Sequence, residues 1–128
     1  MAVTNVRQFE MGLRRFQDRA ERRRRGITKA VAIRALEGLV LGTRVDTGRA
    51  RGNWQTGESR PPEGHDDRIA DRGGTSTISI GGRQILAMEG DDVIWLHNGV
   101  PYIGILEDKD KMLVGTVEAL RTWIRSQP

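Results

Sequence analysis

The hydrophobic positions in the first third of the chain predict a long helix. Apolar residues follow one another at steps of three and four, which is the spacing of one helical face. They are Val6, Phe9, Leu13, Phe16 and Ala20, and then Ile27, Ala30, Val31, Ile33, Leu36, Leu39 and Val40. Between the two groups lies Gly26, and a glycine costs a helix about 1 kcal/mol relative to alanine. Residues 1–42 are therefore expected to form one helix bent near Gly26, or two helices. Both apolar groups are expected in the core, and Thr4 or Asn5 is a suitable N-cap.

The segment 45–54 changes this pattern from helix to strand. Asp46 can accept a hydrogen bond from a backbone N–H two residues on, and Gly48 can take a positive φ at little cost, so the segment suits a sharp turn. Beyond the turn, two sets of residues alternate: Arg49, Arg51, Asn53 and Gln55 against Ala50, Gly52, Trp54 and Thr56. A period of two predicts a strand with one side facing solvent.

Two later segments also have strand character. Residues 75–80 alternate, with Ile78 and Ile80 facing inward, and a glycine pair ends the run. Residues 83–89 then predict a short helix. Residues 93–96 are apolar on both faces, which predicts a central strand covered once by the fold and once by something else.

The segment 58–74 has the least core character in the chain. It contains two prolines, three glycines and mixed charge, with Ile69 as its only large apolar residue. We expect a long loop or hairpin arm that is free to reach a neighbouring molecule. Loops of this length within a compact domain are usually functional or disordered.

The chain ends in a well-patterned helix over residues 111–125, after a turn at 98–101 and a short helix or extended lead-in over 102–107. Its apolar face consists of Met112, Leu113, Thr116, Val117, Leu120, Trp123 and Ile124. Asp108 or Asp110 precedes this helix, while Arg121 and Arg125 lie near its end, and each charge suits the helix dipole there. The sequence thus predicts one α+β domain over residues 1–128. Its long N-terminal helix and its C-terminal helix pack on a small, mainly antiparallel sheet.

Composition narrows the functional classes. The chain has 128 residues, no cysteine and a net charge of +4, so disulfides and thiolate metal sites are excluded. No apolar run approaches the ~20 residues that span a bilayer, and the N-terminus lacks signal-peptide features, so no membrane partner is expected. Residues 1–51 carry 13 basic against 5 acidic residues, and residues 52–128 carry 8 against 12. This asymmetry suits either a nucleic acid or head-to-tail contact between copies.

The basic run has two interpretations. It comprises Arg22, Arg23, Arg24 and Arg25, with Arg14, Arg15 and Arg19 upstream. These side chains could lie along phosphates. Four consecutive arginines on a helix point in all directions, however, so we favour a solvated helix whose arginines pair with acids on a neighbouring copy.

Other candidate chemistry is sparse. The cluster with metal-ligand residue types is Glu63, His65, Asp66, Asp67 and Asp71, and the other histidine, His97, lies in the apolar strand. A metal-dependent hydrolase centred on His65, Asp66 and Asp67 stays an alternative, although an acidic loop is the simpler interpretation. Glu107 could be a buried acid, and we expect Arg49 or Arg51 opposite it. The three tryptophans are expected in the core, with one or two between subunits.

Two segments, taken in order, carry a family resemblance. The first is Val45-Asp46-Thr47-Gly48-Arg49-Ala50-Arg51 followed by Trp54, and the second comprises Asn98, Pro101, Tyr102, Leu106 and Glu107. With the preceding long helix and the closing helix, they resemble the tail-completion (minor tail or neck) family of long-tailed bacteriophages. Arg44, Ile103 and Asp108 stand where that family usually has proline, alanine and glycine.

The resemblance implies a structural virion protein rather than an enzyme, without a cofactor. Such a protein would form a ring, with six copies expected, and would join the head connector to the tail tube, with non-specific contact to DNA in the lumen. The expected interface residues are Arg22, Arg23, Arg24, Arg25, Glu63, Asp66, Asp67 and Trp95. The leading alternative is a small basic nucleic-acid-binding protein that uses the Arg14–Arg25 face.

Overall fold

The computed structural model describes residues 6–89 and 93–128, and within them five helices and two strands. The elements are α1 (Val6–Gly42), α2 (Arg49–Gly52), β1 (Trp54–Glu58), α3 (Thr75–Ala87), β2 (Ile94–Asn98), α4 (Ile103–Asp110) and α5 (Met112–Ser126). The predicted α+β class, with a long N-terminal helix and a small antiparallel sheet, is confirmed. The predicted cap at Thr4 or Asn5 lies outside the described residues.

The N-terminal segment is one helix rather than two. Helix α1 runs without interruption through Gly26. The arginines and alanines that surround this glycine are good helix formers and offset its propensity cost.

The core lies beside the C-terminal half of α1. Leu36, Val40 and Ile85 are fully buried and bring α1 against α3. Trp54 and Leu96 pack against this cluster from the two strands. Burial of such side chains is the main favourable term in folding, so this contact of α1, α3 and the sheet stabilises the domain.

The sheet consists of β1 and β2 in antiparallel register, with Trp54 opposite Asn98 and Glu58 opposite Ile94. The prediction of a central strand at 93–96 is therefore wrong, because β2 has a single neighbour among the described residues. Ile94 and Leu96 face the core, while Trp95 on the other face is 39% exposed. That another molecule covers this outer face of the sheet stays a prediction.

The predicted strand at 75–80 is wrong, since these residues begin α3 and the helix continues through Gly81 to Ala87. Thr77, Gly81 and Ile85, at steps of four, form the buried side of the helix. A Cβ at Gly81 would lie 2.4 Å from Leu36 Cδ2. The glycine therefore allows α1 to approach closely and does not terminate an element.

The strand predicted directly after the turn is also wrong at its start. Arg49–Gly52 forms a single helical turn, closed by a 2.9 Å hydrogen bond from the Gly52 N–H to the Gly48 carbonyl. The alternation from Trp54 onward does form β1. Contacts with the rest of the chain, described below, outweigh the local period of two.

Helix α5 confirms the C-terminal prediction and packs along α1 in antiparallel orientation. Gly42 lies beside Met112, Gly38 beside Thr116, and the Arg34 guanidinium lies 4.4 Å from the centre of the Trp123 ring. No helix within the described ranges combines enough length and apolar character to cross a membrane.

Candidate assembly surfaces and the hinge beside them

The turn at Asp46–Arg49 is built around Gly48, which has a φ of 90°. The Thr47 hydroxyl accepts a hydrogen bond from the Arg49 N–H at 3.2 Å, as a short polar side chain does in a tight turn. The Gly48 carbonyl also accepts from the Asp71 N–H at 3.1 Å. A Cβ at Gly48 would lie 2.7 Å from the Arg72 nitrogen, so both φ and space require glycine.

Arg51 ties this turn to the end of α1. Its guanidinium donates to the carbonyls of Thr43 at 2.9 Å and Leu41 at 3.1 Å, and to that of Arg72 at 2.8 Å. The last carbonyls of a helix have no partner within the helix. Arg51 therefore satisfies them and fixes the direction in which α1 leaves the body.

The two segments that carry the family resemblance meet in space. Asn98 donates to the Ala50 carbonyl at 2.7 Å, and Arg49 Nε donates to the Tyr102 hydroxyl at 3.1 Å. The Arg49 Cζ lies 5.0 Å from the centre of the Tyr102 ring. The hydrogen bond to Tyr102 leads the contacts that raise the pKa of Arg49 above its ordinary value. Pro101 is exposed in the turn before α4. These contacts join α2, β2 and α4, so the segments form a structural hinge.

Glu107 does not face Arg49 or Arg51, and that prediction is wrong. Its carboxylate accepts from the Leu113 N–H at 2.9 Å and the Val114 N–H at 3.3 Å. These are free donors of the first turn of α5. Glu107 therefore caps α5, where a negative charge also suits the helix dipole.

Residues 59–74 form a loop without helix or strand, but not an arm that stands free of the body. Asn53, which is 1% exposed, accepts from the Asp66 N–H at 2.7 Å and donates to the Asp66 carbonyl at 3.0 Å. The loop is therefore held against β1. The expectation that it is free to reach a neighbour is wrong for this part of it.

Asp71 holds the end of the same loop to α3. Its carboxylate accepts from the Gly74 N–H, the Thr77 N–H and the Thr77 hydroxyl at 3.0, 2.8 and 2.7 Å. Desolvation raises the pKa of Asp71, but the bonds from Thr77 and Gly74 and the charge of Arg51 outweigh it, so the pKa lies below its ordinary value. Asp71 is therefore an N-terminal cap for α3 rather than a free acid.

Two of the three loop acids predicted to face a neighbour have partners within the chain. Asp66 accepts from the Arg68 side chain at 3.0 Å, and this bond leads the contacts that lower the pKa of Asp66. Asp67 lies 3.6 Å from Arg49 and 3.1 Å from His65 Nε2. Glu63 is exposed. Asp67 also remains exposed, with a side chain that is 63% accessible, so Asp66 alone of the three is half-buried.

A groove of about 640 Å³ opens between the loop, β1 and α3. Its lining includes four of the five members of the predicted metal cluster, Glu63, His65, Asp66 and Asp71. Within the described ranges, no group of three or more histidine, cysteine or acidic residues is placed to hold a metal ion. Of the residues in that lining, Asp66 holds the loop through its backbone bonds to Asn53, and Asp71 caps α3.

The N-terminal part of α1, residues 6–27, extends beyond the body, and every residue in it is exposed. At 1.5 Å per residue this segment, the free half of α1, is about 33 Å long. Phe9 and Phe16 are 53% and 64% exposed, so their predicted place in the core is wrong. Arg22, Arg23, Arg24 and Arg25 are exposed on the same segment.

A second apolar surface lies on α5. Met112 and Thr116 are buried towards α1, whereas Leu113, Val117 and Ile124 on another side of the helix are exposed. Exposed apolar residues that recur at helical spacing are typical of an interaction surface. The free half of α1 and this outward face of α5 are therefore the candidate assembly surfaces.

The sequence predicts some of these residues in other roles. The alternation over residues 49–56 predicts a strand there, which gives Asn53 and Arg51 no part in holding the loop or capping α1. The apolar positions of α5 predict a single face, although Leu113, Val117 and Ile124 have a helical spacing of their own. Nothing in the sequence around Asn53 indicates its partner 13 residues away.

Comparison of the chain with protein-family models, with curated proteins and with solved structures gave no match in any of the three.

Proposed function

We propose that this chain is a structural virion protein of a tailed phage, a tail-completion or neck component. Its copies form a ring, with six copies expected, that joins the head connector to the tail tube. This work needs no catalysis and no cofactor. The resemblance of the Asp46–Arg51 and Asn98–Glu107 segments to that family supports the proposal, and the exposed free half of α1 is the observation that carries it.

A free-standing helix of this kind needs a partner. Isolated helices in water are marginal, and the stability of most protein helices comes from packing of an apolar face. The apolar face of the free half, which includes Phe9, Leu13 and Phe16, is exposed. A second molecule that covers this face supplies the missing packing.

The charges favour contact between unlike surfaces. The free half carries eight arginines against three acids, whereas residues 28–128 carry 13 basic against 14 acidic residues. Two free halves repel one another, while a free half and the body of another copy do not. Contacts between two different patches repeat head to tail, and they generate a ring when the rotation closes.

Negative-stain imaging and sedimentation of the full chain over a range of concentrations test this role. We expect rings that form without nucleic acid. A variant that lacks residues 2–20 should fold, because the free half makes no contribution to the core, but should stay monomeric. A full-length chain that stays monomeric at every concentration would overturn the proposal.

A nucleic-acid-binding role is the second candidate, favoured by the placement of arginines on the free half. At about 100° per residue, Arg7, Arg14, Arg15, Arg22 and Arg25 lie on the side opposite the apolar face, and Arg19 lies at its flank. Such a face suits DNA passing through a ring. If DNA binding is the main function, the monomer should bind arbitrary duplexes, and the slope of log K against log salt should become shallower as arginines are replaced by glutamine.

A further inference from the structure

The free half of α1 and the outward face of α5 have the same spacing of apolar residues. Phe9, Leu13, Phe16 and Ala20 follow one another at steps of four, three and four, and so do Leu113, Val117, Leu120 and Ile124. This is the heptad spacing with which two helices pack as a coiled coil. Leu120 is half-buried and borders both sides of α5, and the other three are exposed.

We infer that the free half of α1 packs antiparallel on the outward face of α5 of the next copy. This inference rests on the proposed function, since it names the surface through which the copies assemble. The paired layers are Phe9 with Ile124, Leu13 with Leu120, Phe16 with Val117, and Ala20 with Leu113.

The α5 helix that receives the free half belongs to another copy. Within one chain, α5 packs on the C-terminal part of α1, where Arg34 lies over Trp123. Ala20 is 14 residues from Arg34, which is about 21 Å along a continuous helix. The free half therefore cannot reach its own α5 while α1 is straight.

The flanking charges agree with the antiparallel orientation. In this register Glu10, which follows Phe9, lies beside Arg121, which follows Leu120, so opposite charges meet at the edge of the contact. The same orientation already holds between α1 and α5 within the chain. Pairing of two free halves would instead bring together two segments with eight arginines each.

The contact explains two separate exposed faces together. Helix α5 would be covered by its own α1 on one side and by the α1 of a neighbour on the other. Because the two surfaces in contact are different, each copy can give one free half and receive another. The contact therefore repeats around a ring.

Disulfide cross-linking tests the register directly, because the chain has no cysteine. Glu10→Cys and Arg121→Cys are made in separate full-length proteins, which are mixed, assembled and oxidised. We expect a linked dimer that contains one copy of each variant. Glu10→Cys mixed with Ser79→Cys, on the exposed side of α3, is the matched control and should not link.

Charge reversal gives a second measurement that does not depend on oxidation. Glu10→Arg should raise the concentration needed for half-assembly about tenfold, which corresponds to the loss of an attraction and the gain of a repulsion. Adding Arg121→Glu to the Glu10→Arg variant should return the concentration needed for half-assembly to the wild-type value. Arg125→Glu in place of Arg121→Glu should not restore assembly to the same extent.

The outcomes separate this inference from the proposed function. The docking is overturned, and ring assembly stays intact, if the wild-type chain forms rings but the Glu10→Cys and Arg121→Cys variants do not link to each other. Links formed mainly between two Glu10→Cys copies would have the same meaning. A wild-type chain that sediments only as a monomer would overturn both. Circular dichroism of each variant shows that a missing link does not come from misfolding.

Discussion

At the scale of single residues, a few polar groups and one glycine set the direction of the chain between α1 and the sheet. Gly48 accepts two backbone hydrogen bonds at a positive φ, and Arg51 caps the end of α1. Asp71 and Glu107 cap the opposite kind of end, because their carboxylates accept hydrogen bonds from N–H groups at the N-termini of α3 and α5. Gly48 and Arg51 therefore fix the direction in which α1 leaves the body, and under the proposed function they would act on assembly without lying in the assembly surfaces.

Replacing Gly48 by alanine should destabilise the protein by about 2–4 kcal/mol. The substitution adds left-handed strain of about 1–2 kcal/mol and a clash with the Arg72 nitrogen, which a Cβ would approach to 2.7 Å. Gly64→Ala is the matched control, because Gly64 also has a positive φ but has no atom within 4 Å of its built Cβ. Denaturant unfolding measures both, and equal losses would contradict the role given to the Arg72 contact.

Asp71 should make the stability of the protein depend on pH. Because its folded pKa lies below the ordinary value near 3.9, its contribution is present above that value and is lost as pH falls through the folded pKa. Asp71→Asn should therefore be less stable than wild type at pH 7, with a difference that shrinks below about pH 4. Urea unfolding at a series of pH values measures this.

The control for the pH series is Asp18→Asn on the free half of α1, which should leave the body's unfolding curve unchanged at every pH. A difference between Asp71→Asn and wild type that stays constant down to pH 2 would show that the cap acts by shape rather than charge.

At the scale of elements, the sequence predicts helices α1 and α5 and strand β2, because each has a long or strongly apolar pattern. The helix predicted over residues 83–89 covers only the end of α3, because residues 75–80 alternate and contain threonines and isoleucines, which favour strands. The Asp71 cap and the approach of Leu36 to Gly81 decide in favour of helix there. The cap spans only six residues, but the approach of Leu36 to Gly81 joins residues 45 positions apart, which local pattern cannot reveal.

Gly26→Ala should strengthen the free half of α1. Nothing lies within 4 Å of a Cβ at this position, so the change should gain about 1 kcal/mol of helix propensity without a clash. The gain in helix stability is measured in dilute protein, as slower hydrogen exchange of residues 6–27 and as a stronger circular dichroism signal at 222 nm. Gly38→Ala is the contrasting variant, because its Cβ would lie 2.9 Å from Thr116 Oγ1, and it should destabilise the contact of α1 with α5.

At the scale of the whole molecule, the chain divides into a body with its own core and a helix that projects from it. The sequence showed the apolar stripe of the free half but not that the stripe is uncovered. Periodicity tells which residues share a face, and only the fold tells what faces them. The sequence therefore predicts correctly that the free half is helical. The prediction that Phe9 and Phe16 are buried in the core is wrong.

The division into body and projecting helix predicts that assembly and stability respond to different residues. Phe9→Ser with Phe16→Ser should abolish or strongly weaken association in sedimentation and leave thermal unfolding of the monomer unchanged, because these side chains lie outside the core. Leu36→Ala, at a fully buried position, should instead lower stability by about 2–5 kcal/mol. If the serine variant assembled as the wild type does, the free half of α1 would not be part of the assembly surface. Association would then be assigned to the outer face of the sheet around Trp95, which is the apolar residue of the predicted interface.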